Sequence, residues 1–238
     1  MATMPTLREM LKAGVHFGHK TSRWNPAMDQ YIYTAKSGVH VINLEETDKA
    51  LKDAVDFIKE VTASGKKIVF VGTKKQASII VKKAAENCGM PFVAFRWLGG
   101  TFTNFEAIKE SIRKFIKNKE ILEKGDDSMT KREMSKLREE VEKGERTLGG
   151  LIDVEELPGA MILIGVHDET NAAREAKVAH IPTIGLVDTN TDPKSIDYPI
   201  PANDDATKSI ELFANLFSAV IKENKTLAAK KEDKSIKE

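Results

Sequence analysis

Three short apolar runs constrain this chain most: Ile68-Val69-Phe70-Val71 before Gly72, Met161-Ile162-Leu163-Ile164 before Gly165, and Thr183-Ile184-Gly185-Leu186-Val187 before Asp188. Their hydrophobicity is continuous rather than alternating, the mark of strands covered on both faces in a parallel sheet. Phe92-Val93-Ala94-Phe95 is a fourth run, and Tyr198-Pro199-Ile200 reads as a short edge strand, where proline is tolerated. Parallel neighbours need crossovers, and helical periodicity fills the gaps. Ala50, Leu51, Ala54, Val55, Ile58 and Val61 recur at helical spacing after Thr47, the expected N-cap, and Gly65 ends the run. Further helices are expected from Lys75 to Asn87, Asn171 to His180 and Asp204 to Lys222. This alternation predicts an α/β sandwich with a parallel sheet. Upstream, Tyr31 to Thr34 and Val39 to Ile42 flank a Lys36-Ser37-Gly38 turn and suggest a small hairpin.

Residues 104–148 break the alternation. Phe105, Ile108, Ile112, Phe115 and Leu122 follow a heptad-like seam with Lys119 in one slot, and Met134, Leu137, Val141 and Leu148 continue it after a Gly125-Asp126-Asp127-Ser128 turn. The pattern predicts an antiparallel coiled-coil helical hairpin, inserted into a discontinuous globular domain of residues 1–103 and 149–222. About 20 residues per arm would project roughly 30 Å. Residues 223–238 are rich in Lys, Glu, Ala and Ser, and a disordered tail is expected there.

Cys88 is the sole cysteine among 238 residues, which excludes an internal disulfide and fits a cytoplasmic setting. No apolar stretch has the length of a signal peptide or a membrane span. The formal charge of +1 conceals an asymmetry. Residues 1–103 hold 15 basic and 9 acidic side chains, whereas residues 151–221 hold 4 and 12. Such polarity suggests a polyanion-facing surface on one side.

Several segments carry candidate chemistry. The turn Gly72-Thr73-Lys74-Lys75 before a helix suits a phosphate, but no Walker spacing or G-x-G-x-x-G accompanies it. An RNA backbone phosphate would satisfy the same geometry. His16 and His19 are spaced to share a metal, yet Gly18 and the lack of further ligands favour a tight loop. Asp188, Asp204 and Asp205 fall at strand ends and before the last helix, where clustered oxygens would suit a divalent cation such as Mg or Zn. Capping of the helix by Asn203 or Asp204 explains the same residues. Basic and aromatic side chains interleave in Lys20-Thr21-Ser22-Arg23-Trp24-Asn25-Pro26 and Phe95-Arg96-Trp97-Leu98-Gly99-Gly100, loops where Arg and Trp can engage phosphates and bases. No pattern nominates a catalytic nucleophile, a cofactor is not required by any motif, and an enzyme is not expected. A nucleotide-dependent enzyme and a protein-only scaffold are the rival classes.

Leu11-Lys12-Ala13-Gly14-Val15-His16-Phe17-Gly18-His19 with Arg23-Trp24-Asn25-Pro26, Val71-Gly72-Thr73-Lys74-Lys75-Gln76-Ala77, Arg96-Trp97-Leu98-Gly99-Gly100, Leu186-Val187-Asp188-Thr189-Asn190 and Ile200-Pro201-Ala202-Asn203-Asp204-Asp205-Ala206 occur in this order. Together they resemble the bacterial small-subunit ribosomal protein S-two family, and the inserted hairpin is similar to the bacterial form. The resemblance implies a flavodoxin-like three-layer domain with a five-stranded parallel sheet. It also implies a cytoplasmic, ribosome-bound structural role in translation, between head and body of the small subunit. Expected partners are small-subunit ribosomal RNA, neighbouring ribosomal proteins and the mRNA-binding protein S-one, with no membrane and no DNA. Expected RNA contacts are Lys20, Arg23, Trp24, Lys74, Lys75, Arg96 and Trp97 in the body, and Arg113, Lys117, Arg132 and Arg138 on the hairpin.

Overall fold

The computed structural model describes residues 3–125 and 129–235. The order of elements is α1 (Leu7–Ala13), β1 (Phe17–Lys20), β2 (Ile32–Lys36), β3 (Val39–Ile42), α2 (Leu44–Ala63), β4 (Ile68–Val71), α3 (Lys75–Cys88), β5 (Phe92–Val93), α4 (Phe105–Lys124), α5 (Lys131–Leu148), β6 (Ala160–Ile164), α6 (Thr170–Val178), β7 (Thr183–Val187), β8 (Tyr198–Pro201) and α7 (Thr207–Ser235). A five-stranded parallel sheet runs β5-β4-β6-β7-β8, the strand order of flavodoxin-like folds.

The strand residues sort by parity. Ile68, Phe70, Ile162 and Ile164 join one core with α1, α2, α3 and α7. Val69, Val71, Met161 and Leu163 join a second core with α6 and the base of the hairpin. Continuous apolarity in the sequence is therefore demanded by two cores rather than one. Ile58, Phe70, Phe213 and Phe217 are fully buried in the first core, and the tilted rings of Phe213 and Phe217 have centroids 6.4 Å apart.

Some local expectations are corrected. Asn43, not Thr47, caps α2, accepting from the Glu45 N–H at 3.0 Å. Thr47 lies inside the helix and buried, its hydroxyl donating to the Pro201 carbonyl at 2.6 Å and so tying α2 to β8. The segment around His16–His19 is not a tight loop: Phe17–Lys20 forms β1, which pairs with β3 to make a three-stranded antiparallel sheet with β2. The last helix continues past Lys222, where a tail was expected, because Lys, Glu and Ala favour helix wherever a preceding turn nucleates it. Lys225 anchors that extension by donating to the Cys88 and Gly89 carbonyls at 2.8 and 2.9 Å. Residues 236–238 of the expected tail and the Asp126-Asp127-Ser128 turn lie outside the described residues.

The hairpin pairs α4 with α5 through buried Ile112, Phe115, Leu137 and Val141. Gly144 on α5 faces Phe115, and a Cβ there would meet the ring at 2.3 Å. Lys119, in the seam by pattern, sits at its edge, paired with Glu145 at 3.0 Å and with its ammonium 6.0 Å from the centre of the Phe115 ring.

Candidate nucleic-acid interface

In this strand order the direction of winding reverses between β4 and β6, and ligands of such sheets sit in the crevice outside those strand ends. Here the crevice is filled by the protein itself. The turn Gly72-Thr73-Lys74 leaves β4, and Gly165 leaves β6 with φ +85°. Lys74 Nζ lies 2.7 Å from Asp204 Oδ1, 3.0 Å from Asp205 Oδ1 and 3.3 Å from Asp168 Oδ2. Its stem passes 3.1 Å from the point where a Gly165 Cβ would stand, so the glycine makes room for it. The Thr73 N–H donates to buried Glu169 Oε1 at 2.6 Å.

The electrostatics follow from burial. Desolvation disfavours the Lys74 ammonium, but Asp204 and Asp205 outweigh it and hold its pKa above the ordinary lysine value. Burial first, then Asp188, push the Asp204 carboxyl up to about 6 against the pull of Lys74. Burial likewise raises Glu169. Two sequence expectations fall on this network. Lys74, expected at an RNA phosphate, is already surrounded by three carboxylates. Asp188, Asp204 and Asp205 converge, with the Lys74 ammonium among them. No group of three or more His, Cys, Asp or Glu among the described residues is arranged to hold a metal. The same carboxylates would repel a nucleotide phosphate at this turn.

His19 joins the network from β1. Its Nδ1 is 3.0 Å from Asp188 Oδ1 and its Nε2 is 3.4 Å from Asp205 Oδ2. The Asp188 contact, opposed by partial burial, raises the imidazole pKa. The His19 N–H donates to Thr189 Oγ1 at 2.8 Å, and a Cβ on Gly18 would meet the Thr189 side chain at 2.6 Å. His19 of the expected histidine pair is thereby bridged to Asp188 and Asp205. Asn203 accepts from the Asp205 and Ala206 N–H groups at 2.9 and 3.0 Å, an Asx turn that leads into α7 at Thr207.

Above this network opens a groove of about 550 Å³, lined by His19, Lys20, Ser22, Arg23, Asp188 and Asp205 among others. Lys20 and Arg23 are exposed. The loop that carries them is pinned by the Asn25 N–H, which donates to the Thr189 carbonyl at 2.7 Å. Trp24 packs against His40 with ring centroids 5.2 Å apart. Thus a rigid acidic interior supports a loop with cationic tips.

A model of the family described as Ribosomal protein S2 matches residues 10–224. The chain belongs to that family. Among curated proteins it is 42% identical to the small ribosomal subunit protein uS2 of Endomicrobium trichonymphae, over 98% of this chain and 96% of the relative. It is 48% identical to uS2 of Bdellovibrio bacteriovorus over 89% of this chain and 68% of that one, and 45% identical to uS2 of Francisella tularensis subsp. novicida over 92% of each.

The remaining expected contacts of this S2-family chain divide by exposure. Lys75 opens α3 and is exposed, as is Arg96. Trp97 is instead tied inward: its Nε1 donates to Glu175 at 3.1 Å, and its ring meets Phe102 edge-on at 5.2 Å. Glu175 also accepts from the Gly100 and Phe102 N–H groups at 2.8 and 3.1 Å. One carboxylate on α6 thereby shapes the whole Arg96–Phe102 loop, a role the sequence did not signal because nothing local links residues 75 positions apart. Arg113, Lys117, Arg132 and Arg138 are exposed along the hairpin, the first two one turn apart on α4. No helix among the described residues is long and apolar enough to cross a membrane.

Proposed function

We propose that this ribosomal protein is a structural constituent of the small subunit, that it binds small-subunit ribosomal RNA between head and body, and that it supports docking of the mRNA-binding protein S-one. The observation that carries the RNA reading is the pinned loop 20–25, which holds Lys20 and Arg23 exposed over an open groove on a rigid support. Lys75 and Arg96 extend the cationic surface of the body, and Arg113, Lys117, Arg132 and Arg138 form that of the hairpin. Trp24, half-buried, serves the loop through its contact with His40. Phosphates supply affinity in such an interface, and unpaired bases and shape supply selectivity. The near-neutral total charge agrees with this reading, since Lys20, Arg23, Lys75 and Arg96 are exposed while Glu169, Asp188 and Asp204 are buried.

Sedimentation of a cell extract through a sucrose gradient tests the assignment: the protein should travel with the small subunit. Recovery only at the top of the gradient would remove it. Replacing Lys20 and Arg23 together by Ala should lower the salt dependence of RNA binding by about two phosphate contacts' worth, roughly 1.5 in the log–log slope.

A further inference from the structure

The segment 151–221 is the acidic part of the chain, yet its few cations are not scattered. Of its four basic residues, Arg174 and Lys177 line one groove of about 440 Å³, and Lys177 lines a second of about 270 Å³ together with Lys194. Ser195 lines both, so the two grooves adjoin. All three cations are exposed, and none forms an ion pair among the described residues.

The carboxylates nearby are engaged elsewhere. Asp192 in the first groove accepts from the Lys194 backbone N–H at 3.0 Å, and Asp197 in the second accepts from the Thr183 N–H and hydroxyl at 2.8 Å each. A cation in the last turn of α6 is favourable for the helix dipole, which accounts for Lys177 alone. It does not account for Arg174 one turn earlier, nor for Lys194 arriving from another segment. Asn25 is also in the lining of the first groove, two residues beyond Arg23 in the loop pinned to Thr189. The cationic loop and the grooves therefore meet.

We propose that these grooves form a second phosphate-tracking surface, carrying an RNA backbone onward from the Lys20–Arg23 loop, past Asn25, to Arg174, Lys177 and Lys194. This rests on the RNA-binding reading above. Arg174 offers a planar fork suited to a phosphate, Lys177 and Lys194 offer point charges, and the Asn25 side-chain amide offers a neutral donor for a sugar or phosphate oxygen. An acidic protein segment would satisfy the charges, but the continuity with the Lys20–Arg23 loop favours the polymer bound there.

The test is binding of the full chain to deproteinised small-subunit ribosomal RNA over a salt series, with polyglutamate as a second probe. The triple variant R174A/K177A/K194A should bind at least about tenfold more weakly at moderate salt, with the log–log slope reduced by about 2 to 3. An unchanged slope would overturn the proposal while leaving the Lys20–Arg23 surface intact. Lysine-reactive footprinting of the unaltered chain makes the result independent of variant folding: Lys177 and Lys194 should be protected by the RNA. Protection absent with RNA, or present only with polyglutamate, would overturn it. Failure of the unaltered chain to bind RNA at all would remove the underlying reading and this proposal with it.

Discussion

Replacing Lys74 by Met perturbs the centre of the network that supports the RNA-facing loop. The side chain is 15% exposed and its main partner Asp204 is fully buried, so removing the ammonium leaves a carboxylate uncompensated in the interior. Such losses cost about 3–5 kcal/mol, whereas the contacts to half-exposed Asp168 and Asp205 add little. The deficit must depend on pH. Asp204 has a folded pKa of about 6 against an ordinary value of 3.8, so it contributes stability that is full below the ordinary value and lost as pH rises through the folded one. At about 1.4 kcal/mol per unit, that loss amounts to roughly 3 kcal/mol in the unaltered protein. Without Lys74 the carboxyl rises further, and the loss deepens and extends to higher pH. His19, also raised, stabilises at low pH and loses that contribution as pH rises; it shares Asp205 with Lys74, so loss of the Lys74 charge raises it further and widens the gap in the same direction. Thermal unfolding of the isolated chain should show Lys74→Met melting roughly 10 °C below the unaltered protein near pH 8, with the gap closing to a few degrees near pH 5. The double variant K74M/D204N should recover much of the loss. An equal gap at both pH values, or a double variant no better than the single, would refute the reasoning.

Glu175→Ala should free the loop 97–102, giving faster amide exchange at Gly100 and Phe102 and a red shift in tryptophan emission, at a cost of about 2 kcal/mol that urea unfolding can read. Gly144→Leu drives a side chain into the Phe115 ring and should destabilise the hairpin by about 1–3 kcal/mol, seen as local exchange along α4 and α5 before the sheet exchanges. Gly18→Val should push β1 away from Thr189, with the His19 imidazole resonances in NMR moving toward those of ordinary histidine. Replacing Arg113, Lys117, Arg132 and Arg138 together by Ala should leave the melting temperature within about 2 °C, as for exposed residues, while weakening RNA binding.

The parallel sheet was legible because strands buried on both faces leave no choice of residue type: Ile68–Val71 and Ala160–Ile164 can only be read one way. The hairpin was legible from its seam. What escaped depends on partners far away in the chain. Phe17–Lys20 carries no strand pattern and becomes β1 through pairing with β3 and contact with Thr189. The helix α1 had a readable signal, the Thr6–Glu9 capping box, in a segment too short to attract notice. The Lys74 turn has the local form of a phosphate site. Its actual partners lie 130 and 131 residues later, where no spacing argument reaches. Trp97 likewise reads as a base-stacking residue until Glu175 claims its N–H.

The hairpin leaves the body after Asn104 and returns at Gly149–Leu151, where Gly150 lies so close to Phe92 that a Cβ would overlap the Phe92 carbonyl. An excursion whose two arms run side by side brings the chain back to its starting point whatever the length of the arms. The sheet is therefore blind to the hairpin's reach: whole heptads could be added or removed at its tip with little added closure entropy and no change in the register of β5 or β6 against β4. The arm's length can change while the platform that carries Lys20 and Arg23 keeps its shape.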